Sequence, residues 1–98
     1  MQILLPLYQA RGRRQPRARF ELTRRELTAK FGGLTSYARA PAKGFWKKRA
    51  GTERDDIVVL EVMTARLEAR WWRRYRRTLE TRFKQEEIVV RSLTFRRL

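Results

Sequence analysis

The chain has 98 residues, a formal net charge of +15 and a sequence pI of about 11.6. It contains no Cys and no His, which excludes disulfides, zinc fingers and cysteine nucleophiles and removes the commonest general base. Its 42% hydrophobic content predicts one folded domain over residues 1–98, and its charge favours an anionic partner, which could be nucleic acid, an anionic membrane or an acidic protein.

The chain is expected to begin with a strand and a helix. Residues 2–8 place apolar side chains on one face at a period of two, which is typical of a strand. Pro6 within that run favours an edge strand, or a bulge if the strand is central. Residues 9–15 form a polar turn with three arginines. A helix is predicted over residues 17–30, ended by the Gly32-Gly33 pair.

Two strands, a second helix and a last strand follow. The second strand is predicted over residues 34–40 and the third over residues 56–63, where apolar side chains point both ways and both faces are therefore expected to be covered. Thr64 is a predicted cap for a helix over residues 65–84. The last strand is predicted over residues 88–95.

The order of these elements indicates the fold. A β-α-β-β-α-β order in under 100 residues predicts an α+β fold of the ferredoxin-like βαββαβ type, a four-stranded antiparallel sheet with two helices on one face. The other sheet face would be bare in a monomer. A homodimer through this open face is therefore expected.

The second helix separates two kinds of side chain on a helical wheel. The apolar stripe, interpreted as its core face, comprises Leu67, Trp71, Trp72, Tyr75, Leu79 and Phe83. The opposite side, here called the basic ridge, comprises Arg66, Arg70, Arg73, Arg74, Arg77 and Lys84. The basic ridge is either a solvated face or a surface that contacts phosphates without reading sequence. Further basic residues could extend its field: Arg11, Arg13, Arg14, Arg17, Lys43, Lys47, Lys48 and Arg49.

Acidic residues offer a second, weaker set of candidates. Glu61 interrupts an apolar strand, so it is either a carboxylate with a raised pKa that is suited to acid–base chemistry, or a residue that pairs with Arg or lies at the sheet rim. No glycine-rich phosphate loop, nucleophile elbow or metal-ligand spacing is present in the sequence. No metal site and no cofactor are predicted, and no catalytic residue is assigned.

Three segments carry a family resemblance that covers most of the chain after Pro16. FGGLTSYARAPAKGFWK, ERDDIVVLEV and YRRTLETRFKQEEIVVR resemble small, uncharacterised bacterial α/β proteins. The matching residues are Phe31, Gly33, Leu34, Thr35, Gly44, Trp46, Glu53, Phe83, Gln85, Glu86 and Val89. The resemblance implies a ferredoxin-like fold and no particular activity, and it suggests that Trp46, Gln85 and Glu86 line one site. The basic excess is not part of that family's pattern.

Two main functional hypotheses result. The favoured one is a homo-oligomeric, non-enzymatic binding module for an anionic partner such as nucleic acid, because the lack of His and Cys leaves little catalytic equipment. The alternative is a dimeric α/β-barrel protein that binds or transforms a small molecule; its candidate residues are Trp46, Glu53, Glu61, Gln85 and Glu86. Whether the protein is an enzyme stays open, and a third possibility is a subunit whose partner is another protein.

The start of the chain and its longest apolar runs bear on location. The first residues are not expected to be a signal peptide, because arginines follow the short apolar run instead of preceding it. Every apolar run falls short of the roughly 18 residues that a membrane span needs. A cytoplasmic protein is therefore expected.

Overall fold

A computed structural model describes residues 1–39 and 56–98 as four antiparallel strands in one sheet with two helices, which confirms the predicted α+β class. The elements are β1 (Gln2–Pro6), α1 (Arg17–Phe31), β2 (Thr35–Arg39), β3 (Ile57–Glu61), α2 (Ala69–Arg82) and β4 (Val89–Arg91). The strand order across the sheet is β2-β3-β1-β4. The predicted break at residues 41–44 and the candidates Trp46 and Glu53 lie outside the described residues, as do Lys43, Lys47, Lys48 and Arg49.

β1 is a central strand, so the prediction that Pro6 marks an edge strand is wrong. The Leu7 amide donates toward β3, to the Asp56 carbonyl at 3.0 Å. The nitrogen of the preceding residue, Pro6, therefore faces the β4 side. The β4 ladder ends where Val89 lies opposite Leu4. The missing N–H of the proline thus removes no ladder hydrogen bond, and the chain tolerates it without a bulge because β4 is short.

One face of the sheet and both helices contribute to a single apolar core. Alternate residues of β1 and β3 point into it, as the period of two requires. Its buried members are Ile3, Leu5, Phe20, Leu27, Val58, Leu60, Val62, Trp72, Tyr75, Leu79, Phe83 and Ile88. Each large apolar side chain buried there contributes roughly 1.5–3 kcal/mol. Most of the predicted apolar stripe of α2 is therefore core, as expected.

The opposite face of the sheet carries an apolar row across all four strands. The register places Val89, Leu4, Val59 and Tyr37 side by side on β4, β1, β3 and β2. Val59, at the centre of this row, is only 1% exposed, whereas Tyr37 and Val89 at its two ends are 43% and 47% exposed. The apolar surface that this face offers to solvent therefore lies at its two edges.

α2 is shorter than predicted at both ends. It begins at Ala69 instead of residue 65, with Glu68 at its N-cap position, so Thr64 is not its cap. Leu67 precedes the helix and is 56% exposed. The helical wheel does not apply to Leu67, because this residue lies outside the helix. Its assignment to the core stripe is therefore wrong. The helix ends at Arg82, and Lys84 follows in a left-handed backbone conformation with φ of +53°.

β4 covers residues 89–91 instead of the predicted 88–95. Arg91 lies opposite Gln2, which is the first residue of β1. The residues after Arg91 therefore have no partner strand on which to continue the ladder. Residues 92–98 have no regular secondary structure and are exposed.

Candidate anion-binding surface

All six residues of the basic ridge are exposed. Arg70, Arg73, Arg74 and Arg77 lie on α2 at spacings of three and four residues, which places them on one side of the helix. The first and the last of them are seven positions apart, or about 10 Å along the helix at about 1.5 Å per residue. Arg66 precedes α2 and Lys84 follows it. The structure therefore keeps four members together on one helix and places the other two beyond its ends.

Ion pairing separates the ridge from the remaining arginines of α2. Arg76 pairs with Glu80 one turn on, at 3.7 Å, and Arg82 pairs with Glu26 of α1, at 2.7 Å. Within residues 1–39 and 56–98, no carboxylate lies within 4.0 Å of a basic group of the ridge. The ridge charges are thus exposed and form no ion pair with the described residues, whereas the half-buried arginines of the same helix are paired.

The loop between β1 and α1 adds two more cations next to the ridge. The Gly12 amide donates to the Gln9 carbonyl at 2.8 Å, and Gly12 has a φ of +82° that favours glycine. This tight turn projects from a short hairpin closed by a bridge between residues 8 and 14. Arg11 and Arg13 line a cleft of about 470 Å³ together with Lys84. The predicted extension of the positive field by these two arginines therefore reaches one end of the ridge.

Gln15, which sequence reasoning missed, holds this hairpin in place. Its buried side chain donates from Nε2 to the Phe83 carbonyl at 2.9 Å, and its Oε1 accepts a bond from Arg19 at 2.6 Å. The Phe83 carbonyl is one of those that a helix end leaves without a partner in the helix. Gln15 therefore fixes the basic hairpin against the end of α2. A single polar residue in a basic turn carries no sequence signal for this role.

Glu26 of α1 accepts three hydrogen bonds from α2. Arg82 donates through both terminal nitrogens, at 2.7 and 3.0 Å, and the Tyr75 hydroxyl donates at 2.9 Å. Arg82 also donates to the Thr23 hydroxyl at 2.8 Å. The bonds from Arg82 hold the pKa of Glu26 below its usual value, although burial opposes this. Burial, and then the bond to Glu26, raises the pKa of Tyr75.

The aromatic residues of α2 contact one another and the rest of the fold. Trp71 is half-buried, stacks on Tyr75 at 4.8 Å between ring centroids and meets the edge of Phe31 at 5.5 Å. The Lys30 ammonium lies 4.6 Å from the centre of the Trp71 ring. These contacts occupy the ring that stands closest to solvent. α2 therefore offers arginines, and not an open aromatic platform, to a partner.

The second set of candidates is spread along the sheet. Glu61 ends β3 at the sheet rim and accepts a bond from Gln2 at 2.7 Å, while Gln2 accepts one from Arg91 at 2.9 Å. Gln85 donates to the Phe83 carbonyl at 3.4 Å, and Glu86 is exposed.

Glu61 and Gln85 lie toward opposite ends of the sheet. Glu61 is opposite Gln2, whereas Gln85 shares the Phe83 carbonyl with the side chain of Gln15. The backbone N–H of Gln15 donates to the Leu7 carbonyl. Leu7 follows the end of β1 and lies five positions from Gln2, or about 17 Å along extended chain. The described members of this set are therefore not brought into one site.

A different cleft does border Glu61. It has a volume of about 660 Å³ and is lined mainly by apolar residues of the sheet rim and the C-terminal segment, among them Met1, Val62, Leu93 and Phe95. Within the described part of the chain, no three His, Cys, Asp or Glu side chains come together in a way that could hold a metal ion. Neither α1 nor α2 has the length and apolar character that crossing a membrane requires.

Comparison with family models, with curated proteins and with solved structures finds no match to this chain.

Proposed function

We propose that this protein is a homo-oligomeric, non-enzymatic binding module that holds nucleic acid by its phosphates, through the basic ridge. The observation that carries the proposal is the row of four exposed arginines on α2, none of which pairs with a carboxylate of the described residues. A net charge of +15 adds a long-range attraction for polyanions.

The chemistry of the ridge favours contact with the backbone over recognition of bases. Guanidinium groups bind phosphate oxygens through paired hydrogen bonds. Such contacts position a nucleic acid without reading its sequence. The neighbouring aromatic ring of Trp71 is occupied by Tyr75, Phe31 and Lys30, so this ring does not offer a stacking surface to bases. Arg11, Arg13 and Lys84 extend the same positive surface beyond the end of α2.

Salt dependence of binding tests the proposal quantitatively. If each of the four α2 arginines neutralises one phosphate of a single strand, log K falls against log salt with a slope of about −2.8, or roughly 50-fold between about 50 and 200 mM salt. The double variant R73Q/R77Q removes two contacts, so its slope falls to about −1.4. Fluorescence anisotropy of a labelled oligonucleotide, with protein freed of nucleic acid, measures both slopes.

R96Q/R97Q is the matched control for this experiment. It also removes two positive charges, but from exposed residues of the C-terminal segment. Its net charge therefore equals that of R73Q/R77Q, while the ridge stays intact. We expect its slope to remain near that of the unmodified protein. Equal slopes for the two double variants would show that the ridge is only a solvated surface. If no nucleic acid binds in a salt-sensitive manner, the proposed function is refuted.

We further propose a ferredoxin-like arrangement and a dimer for this chain. The order β2-β3-β1-β4, read in reverse as β4-β1-β3-β2, places one strand between the two partners of each β-α-β unit, which is the split βαβ pattern. The exposed apolar residues at the edges of the open face, Tyr37 and Val89, support a second copy as its partner.

The cleft beside Glu61 is the observation that favours the alternative, a dimeric protein that binds or transforms a small molecule. Its described walls are mostly apolar, and Glu61 is the acidic side chain among them, beside Arg96 and Arg97; apolar walls with a few polar groups are typical of small-molecule sites. In this case the protein would not bind oligonucleotides at low or at high salt. The ridge ranks first because its charges have no partner in the described fold, whereas Glu61 already accepts a hydrogen bond from Gln2.

A further inference from the structure

A groove on the other helix contains three arginines that the ridge does not use. It lies between α1 and the sheet, has a volume of about 540 Å³ and is bordered by Arg14, Arg17 and Arg24. Arg17 and Arg24 lie seven residues apart and therefore on the same side of α1. No carboxylate is among the described residues that line this groove. Its rim is therefore a positive surface separate from α2.

Two of the three guanidinium groups are open to a ligand. Arg14 is exposed, and the Gln9 side chain donates only to its backbone carbonyl, which leaves the guanidinium group out of that bond. Arg17 pairs with Glu21 at 3.2 Å, but the arginine side chain is 89% exposed. An ion pair this exposed is weak because water screens it, so a stronger anion can displace it.

Arg24 is the member of the trio that fits a ligand best. It is half-buried, and one terminal nitrogen donates to the Ser36 hydroxyl at 3.2 Å. Its Nε is buried and finds no hydrogen-bond partner among the described residues. An unpaired buried donor destabilises the fold, and more so when it belongs to a charged group. Because Arg24 lines the groove, an anionic ligand that reaches this donor would relieve that cost.

The floor of the groove is apolar. Leu7, Phe20 and Val58 contribute to it. The Gln15 side chain in its wall is already hydrogen-bonded to Phe83 and Arg19. The arginines are therefore the main polar groups that a ligand could contact. A simple inorganic anion would use the rim and not the floor. A ligand with a charged end and an apolar body would use both, and the groove volume is in the range of small-molecule sites.

We infer that this groove binds an organic phosphate, with the phosphate between Arg14, Arg17 and Arg24 and the apolar body over Leu7, Phe20 and Val58. Two or three guanidinium groups match the charge and oxygen count of a phosphate monoester better than those of a single carboxylate. The inference does not rest on the function proposed for α2, because the two surfaces share no residue.

Three probes separate the contribution of the phosphate from that of the apolar body: adenosine monophosphate, inorganic phosphate and adenosine. We expect the monophosphate to bind at least about tenfold more tightly than inorganic phosphate, and adenosine to bind more weakly than the monophosphate by a similar factor. Calorimetry gives the affinities. Amide chemical shifts should move at Phe20 and Val58 and not along α2.

R24Q is the decisive variant, and R25Q is its matched control. Arg25 is the next residue of α1, is exposed and does not line the groove, so both variants lose one charge from the same helix. We expect R24Q to weaken binding of the monophosphate about tenfold and R25Q to change it less than about twofold. R14Q, at an exposed hairpin position, repeats the test should R24Q fail to fold.

Three results would overturn the inference. The first is equal affinity of R24Q, or of R14Q, and R25Q for the monophosphate. The second is inorganic phosphate binding as tightly as the monophosphate. The third is a set of shifts confined to α2. R73Q/R77Q should bind the monophosphate normally, so a failure of the α2 ridge and a failure of this groove give different outcomes.

Discussion

Replacing Glu26 with Gln tests the polar contact that joins the two helices. The substitution keeps the shape of the side chain and removes its charge. In the native protein, Glu26 accepts bonds from both terminal nitrogens of Arg82 and from the Tyr75 hydroxyl. An amide has one carbonyl oxygen for these donors, so at least one of them loses its acceptor in E26Q.

The exposure of the two partners sets the expected loss. The Arg82 side chain is 14% exposed and that of Glu26 is 39% exposed. Breaking a fully buried pair costs about 3–5 kcal/mol, whereas an exposed pair is worth about 0.2–1 kcal/mol. The intermediate exposure of Glu26 lets water screen the pair. We therefore expect E26Q to lower the free energy of unfolding by about 1–2 kcal/mol at neutral pH.

The loss should disappear in acid. The pKa of Glu26 is lowered in the folded state by its bonds to Arg82, so the unfolded state takes up the proton first as pH falls. The stability that the carboxylate contributes is complete above the unfolded value of about 4.3 and is lost as pH falls through the folded value. The difference in stability between native protein and E26Q should therefore shrink below about pH 4.3 and vanish once pH is below the folded pKa of Glu26.

Urea unfolding followed by tryptophan fluorescence at pH 7 and in acid measures both effects. E21Q is the control, because Glu21 forms an exposed pair with Arg17 one turn away on the same helix. It carries the same charge change and should lose about 0.5 kcal/mol or less. Equal losses for E26Q and E21Q at pH 7, or a loss for E26Q that persists in acid, would refute this account of the helix contact.

Two further predictions concern the backbone and the open sheet face. K84G should raise the free energy of unfolding by about 0.5–1 kcal/mol, because φ at Lys84 is +53°, while G32A should lower it by about 1 kcal/mol, because φ at Gly32 is +84°. Denaturant midpoints check both, and a gain for G32A would contradict the reasoning. Y37D should abolish a dimer that light scattering detects in the native protein. S36D should not, because Ser36 is the neighbouring residue on the opposite face of the sheet. If both variants are dimers, the face that carries Tyr37 is not the interface.

Periodicity recovered the parts of this fold that depend on burial. The alternation in β3 places Val58 and Leu60 in the core and Val59 on the other face, as the two-sided apolar pattern predicts. The buried side of α2 could likewise be read from the spacing of Trp72 and Leu79. These positions are predictable because a core requires apolar side chains at the repeat of the element.

Element ends and polar contacts were less predictable, because they depend on neighbours distant in the chain. β4 stops at Arg91 because β1 provides no partner residue beyond Gln2. Nothing in a local pattern marks Gln15 as the residue that binds the end of α2, 68 positions away. The grouping of the site candidates was unpredictable for the same reason, because only the sheet register shows that Glu61 and Gln85 lie far apart.

The arrangement of the arginines on α2 is itself costly, which bears on their function. Arg70, Arg73, Arg74 and Arg77 form four like-charged pairs at three- and four-residue spacings, each unfavourable by about 0.2–0.5 kcal/mol, or roughly 1–2 kcal/mol together. A solvated face does not need its charges placed so close together. Bound phosphates would remove the repulsion. R73Q/R77Q should therefore fold at least as stably as the native chain, so that loss of nucleic-acid binding in this variant would report lost contacts and not a lost fold.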